Sequence, residues 1–214
     1  MSHLKVLLVI LSLYAGAVKA QSVQEVFTQR DLTWYGLDFS QAKFVGNFTQ
    51  FAEAGQVNAS KLRDTYFKSW NSVILNEKDK YNLAKFYKKD SIAYNVAPVE
   101  TLNARTDTTK MMQVAAPKAL TAAQIQAAVR QYKANGNRGL GLVFIVESFD
   151  KSLDQGIIHL TFFDIASHKV LLTKRLETKP AGFGLRNYWV STAYAVMKQS
   201  DKNWKNWQQE AGAQ

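Results

Sequence analysis

The sequence predicts an α+β fold, with helices packed on a single mixed β-sheet. Three observations lead there. GLVFIVESF (residues 141–149) is apolar on both faces through Val146, as a strand in the middle of a covered sheet must be. Apolar residues at three- and four-residue spacings mark other segments as one-sided helices. Together the elements follow the order β-α-β-α-β-β-β-α, which suits one sheet with helices laid on it.

The elements follow in chain order. DLTWYGLDFSQAKFVG (31–46) is rich in aromatic and β-branched residues and reads as a first strand that runs on past a bend. A helix is predicted from Ser60, with Leu62, Tyr66, Phe67, Trp70, Val73 and Ile74 along one side. SIAYNVAP (91–98) reads as a short strand stopped by Pro98, and residues 99–119, which show no period, as a long loop. The next helix opens at Thr121, where Gln124 three residues on completes a capping box, and Gly136 is its expected stop.

After the central strand, GIIHLTFFDI (156–165) and KVLLTKRLE (169–177) form a hairpin. In its turn His168 stands where a left-handed glycine is usual, and Asp164 is placed to accept bonds from the turn's amides. A final helix runs from Leu185 to about residue 209, with Trp189, Val196, Trp204 and Trp207 near one side.

The ends bound the compartment. Residues 1–20 have a positive start at Lys5, an apolar run from Val6 to Val18, and small residues at Val18 and Ala20, the pattern of a cleaved secretory signal. Residues 21–214 are then expected to form a single α+β domain, exported to the periplasm or beyond the cell, with no membrane-spanning segment left after cleavage. The chain has no cysteine, which fits a bacterial envelope better than a eukaryotic secretory route. Net charge is +10, and +8 once Lys5 and Lys19 leave with the signal. That excess favours an acidic envelope component or protein partner, while export disfavours nucleic acid; solubility alone also accounts for it.

Several chemistries are poorly served. Beyond His3 the only histidines are His159 and His168, separated along one strand by roughly 20 Å at ~3.3 Å per residue, so they share neither metal nor proton. No thiolate exists for a zinc site or a nucleophile, and no G-x-S-x-G elbow presents a serine. No metal, cofactor or catalytic set is therefore expected. Glu147, Asp150 and Asp154 gather near one strand end, and a carboxylate-dependent hydrolase built on them is the alternative. DKSLDQG (150–156) departs from a calcium loop at Gln155 and Thr161. In KDKYNLAKFYKKD (78–90), Lys78, Lys85 and Lys89 share a helical face, read either as a contact for an anionic surface or as a solvated rim over buried aromatics.

KPAGFGLRNYWV (179–190) carries the candidate binding residues Lys179, Gly182, Gly184 and Arg186. Pro180 ends the preceding strand, and two glycines permit a sharp turn into the last helix. Free amides at that helix start, with the two cations, suit a small anion centred on Arg186. The same residues also read as a structural corner, with Arg186 paired to a carboxylate such as Glu147.

LTWYGLDFSQAKFVG (32–46), KYN (80–82), GLVFIVESFDK (141–151) and GFGLRNYWV (182–190) stand in an order that resembles a family of small exported envelope proteins of unknown function. The resemblance carries over no catalytic residue. In outline the strand–helix alternation also looks like a domain of envelope-assembly and outer-membrane accessory proteins, an analogy of fold alone. It implies an exported, non-catalytic binding or assembly module rather than an enzyme.

Overall fold

The computed structural model describes residues 22–50, 55 and 57–212; the predicted signal over residues 1–20 lies outside the described residues. Helices and one mixed sheet of seven strands make an α+β fold. The elements are α1 (Glu25–Thr28), β1 (Asp31–Asp38), β2 (Lys43–Val45), α2 (Ala59–Lys61), α3 (Phe67–Asn76), α4 (Leu83–Tyr87), β3 (Ser91–Tyr94), α5 (Ala97–Asn103), β4 (Met112–Gln113), α6 (Ala122–Val129), β5 (Leu140–Asp150), β6 (Gln155–Asp164), β7 (Val170–Thr178) and α7 (Gly184–Gly212). A π-helical stretch, Leu62–Tyr66, joins α2 to α3.

The long central strand β5 is buried along its whole length. Two strands share one of its edges in succession. Parallel β1 pairs with Gly141–Ile145, and parallel β2 with Ser148–Asp150. β3 and β4 flank these in turn, both parallel. On the other edge β6 and β7 form the antiparallel hairpin, with Asp164 accepting the Ser167 amide at 2.6 Å and His168 at φ +57°, as the sequence predicts.

Helices α3, α4 and α7 cover one face. Trp34, Phe39, Phe44, Trp70, Phe144, Phe149, Trp189 and Trp204 lie in that core, ring against ring, Phe149 stacking on Trp189 at 4.6 Å. Trp204 and Trp207 are buried against the domain's own body, Trp204 meeting Phe27, Tyr87 and Phe162. On the opposite face α5 and α6 cover Tyr35, Val143, Ile145 and Phe163.

Two buried asparagines tie these layers to the end of β1. Asn71 of α3 accepts the Leu37 amide at 2.7 Å and donates to the Leu37 carbonyl at 3.1 Å. Asn103 of α5 donates to the same carbonyl at 2.9 Å and accepts the Phe39 amide at 2.7 Å. Gly36, at φ +105°, makes this possible: a Cβ there would stand 2.6 Å from Asn71 Oδ1.

The structure corrects four expectations. Pro98 does not stop a strand; β3 ends at Tyr94, and Pro98 sits in the first turn of α5, where its missing amide hydrogen costs nothing. Residues 99–119 are accordingly no long loop, since they hold most of α5 and the whole of β4. The capping box of Thr121 and Gln124 is present, yet α6 ends at Val129 and Gly136 (φ +81°) lies in a later turn. Lys78, Lys85 and Lys89 share no helical face, because α4 spans only Leu83–Tyr87 and left-handed Lys88 turns the chain inward. Lys89 is buried, its Nζ donating to the Val26 and Gln29 carbonyls at 2.7 Å, and burial, reinforced by nearby Arg30, lowers its pKa to about 8.

Candidate functional site

The candidate residues lie where several strand ends meet. The pairings Val45 with Gln113, Val45 with Asp150, Asp150 with Gln155 and Gly156 with Thr178 put the ends of β2, β4, β5 and β7 at one level. The β5–β6 turn and the corner leading from β7 into α7 are therefore neighbours.

In that corner Lys179 is exposed and Pro180 buried. The Ala181 amide donates to Ser191 Oγ at 2.7 Å, and that hydroxyl donates to the Tyr188 carbonyl at 2.7 Å, so the bend is tied to the first turns of the helix. Gly182 (φ +110°) and Gly184 (φ +78°) occupy backbone conformations that side chains resist. Between them Phe183 stands 96% exposed. Arg186 is exposed, bonds Asn187 Oδ1 at 3.2 Å through Nε, and offers its carbonyl to Trp70 Nε1 at 3.0 Å. Neither Lys179 nor Arg186 is in an ion pair among the described residues.

The three carboxylates of the hydrolase alternative do not converge. Asp150 is buried and accepts the Ser152 and Leu153 amides at 2.8 and 3.1 Å, which shapes the β5–β6 turn. Asp154 takes bonds from Lys151 and Tyr188, and Lys151 chiefly holds its carboxyl below the usual range. Gly46 lets the strand β2 pass this turn, since a Cβ there would lie 2.4 Å from Ser152 Oγ.

Glu147 faces elsewhere. It is the extra residue of a β-bulge, the register with β6 shifting between Val146 and Ser148, and the bulge turns its carboxylate onto β6 and β7. Glu147 Oε2 meets His159 Nε2 at 2.7 Å and accepts the Leu120 amide at 2.8 Å; Oε1 accepts Arg175 Nη2 at 2.8 Å. The expected pairing with Arg186 is thus replaced: register sets Arg175 directly opposite His159, and Arg175 supplies the guanidinium. Burial alone would raise the Glu147 carboxyl, but the bonds from His159, Arg175 and the Leu120 amide together lower it to about 2. A carboxylate so fully engaged has no lone pair turned to a substrate.

Another buried acid, Asp38 at the end of β1, accepts the Tyr132 hydroxyl and the Ser40 amide, and burial raises its pKa despite both donors. Sequence reasoning passed over this pair, since nothing in the chain announces a contact across 94 residues. Among the described residues no group of three His, Cys, Asp or Glu side chains is placed to hold a metal, and no helix is long and apolar enough to cross a membrane.

Sequence reasoning also missed the most unusual feature of this end. Among the described residues three large apolar side chains are exposed, and all three sit here: Phe183 after β7, Leu153 (63%) in the β5–β6 turn, and Val114 (101%) after β4. A phenylalanine between two glycines was the available signal for the first. No family model matches the chain, nor does any curated protein or solved structure.

Proposed function

We propose that the protein is an exported, non-catalytic binding or assembly module of the cell envelope, working in the periplasm or outside the cell. It docks on an acidic partner through the sheet end around residues 179–186. One observation carries this reading: the three exposed large apolar side chains gather at the end that also bears the unpaired cations Lys179 and Arg186. Exposed apolar side chains beside cations that no carboxylate pairs suit a surface that meets an acidic partner. The carboxylates available to a hydrolase, by contrast, are each engaged in shaping the fold.

The test is co-sedimentation of the protein with a cell-envelope fraction. The combined variant Phe183→Ser, Lys179→Ala, Arg186→Ala should stay folded, with an unchanged thermal midpoint, and remain in the supernatant. A variant that sediments as fully as the parent would overturn the reading.

A further inference from the structure

Five strand ends, β4, β2, β5, β6 and β7, stand side by side at this end of the sheet. At about 4.8 Å per strand they form a row roughly 19 Å long. Val114 follows β4 at one end of the row and Leu153 lies in the β5–β6 turn near its middle, while Phe183 precedes α7, whose first turns lie over β5, with Trp189 on Phe149. The three side chains are single projections from short turns, separated by polar residues such as Ser152 and Asp154. The hollow lined by Leu153, Glu177 and Lys179 is open to solvent, unlike the closed, desolvated pocket in which the anchors of a protein–protein interface cluster.

Charge follows the same pattern. Lys151 is tied to Asp154, Asp150 is turned inward to its own backbone, and Glu177 is paired with Arg175. Lys179 and Arg186 flank Phe183 in the chain; neither is in a salt bridge among the described residues, and Lys179 acts on Asp154 only through space. Isolated apolar tips flanked by cations outside any salt bridge fit a bilayer surface: the ring and aliphatic chains enter the acyl boundary while the cations meet anionic headgroups.

Resting on the docking end proposed above, we infer that its partner is the surface of a phospholipid bilayer carrying anionic headgroups, with Phe183, Leu153 and Val114 as the inserting side chains. The bend at Pro180–Gly184 presents Phe183, and its tie to Ser191 fixes the bend to the first turns of the helix.

The chain has no cysteine, so Phe183→Cys can carry a single polarity-sensitive fluorophore. The protein is purified as the cell processes it, with intact mass establishing whether the apolar stretch 6–18 is absent. Protein-free vesicles of phosphatidylcholine with about one third phosphatidylglycerol should blue-shift the label, and pure phosphatidylcholine vesicles should not. In unlabelled protein, Phe183→Ser should lower partition into the mixed vesicles about tenfold. Lys179→Ala and Arg186→Ala should each lower it about fivefold, an effect that fades as salt rises. A label that responds to a whole envelope fraction but not to protein-free vesicles overturns the bilayer and leaves the docking end standing, with a protein or glycan as its partner. A label silent to both overturns the docking end as well.

Discussion

Glu147 and His159 meet at 2.7 Å across neighbouring strands, both nearly inaccessible to solvent, and Arg175 closes the group from the edge strand. A bulge aims the acid, a hairpin register supplies its two partners, and a passing amide from Leu120 completes its shell. This group is a fastener holding the segment before α6 onto the sheet.

Acid should release it. The Glu147 pKa is held near 2, below its ordinary 4.5, so its contribution is complete above pH 4.5 and is lost as pH falls towards 2. Glu147→Gln is expected to cost about 2–3 kcal/mol at pH 7, and the gap from the parent should close at low pH. Urea unfolding at pH 7 and pH 3 checks both statements.

Asp38 behaves in the opposite sense. Its pKa is raised in the fold, so the stability it contributes is present below about 3.8 and lost as pH rises through the folded value. In Asp38→Asn the amide oxygen can still accept the Ser40 amide while the amide nitrogen donates to the Tyr132 hydroxyl, and the variant should be more stable than the parent at pH 7, with no advantage near pH 3. Tyr132→Phe should cost about 1–3 kcal/mol at pH 7, since it removes the hydroxyl donor from a buried carboxylate. The same denaturation series separates the two variants.

Two glycines should differ in a defined order. At Gly182 a Cβ would have room, its nearest neighbour 3.7 Å away, so alanine pays only for the left-handed backbone, about 1–2 kcal/mol. At Gly46 the same backbone strain is joined by a collision with Ser152, whose amide nitrogen is 3.0 Å away, and the loss should be larger. Each kcal/mol lowers the melting midpoint by roughly 2–4 °C in a domain of this size, which calorimetry resolves.

Buried and exposed side chains should part company. Trp204→Ala empties a core site and should cost about 3–5 kcal/mol. Phe183→Ala and Arg186→Ala touch exposed side chains and should stay within about 0.5 kcal/mol of the parent. If Arg186→Ala unfolded the protein, the corner would owe more to its guanidinium than the single bond to Asn187 suggests.

What the sequence made legible was local. Thr121 with Gln124, and Asp164 with the Ser167 amide, are contacts within four residues, and residue type alone specifies them. The central strand was legible because burial on both faces leaves no polar alternation. Pro98 was misread because the same ring that ends a strand also begins a helix, and only the chain beyond it decides. The two-residue β4 carries no pattern that could announce it. At the candidate site, Lys179, Gly182, Gly184 and Arg186 were legible as a corner, while the partner of Glu147 was not: choosing Arg175 requires the register of two strands.

The shared carbonyl of Leu37 has a kinetic consequence. It receives Asn71 from a helix 34 residues away and Asn103 from another 66 residues away, and those helices belong to opposite faces of the sheet. Neither layer can peel off without uncovering a buried oxygen that the other still holds. The amide protons of Leu37 and Phe39 should therefore exchange with deuterium only when the whole molecule opens, making this strand end the slowest clock in the protein.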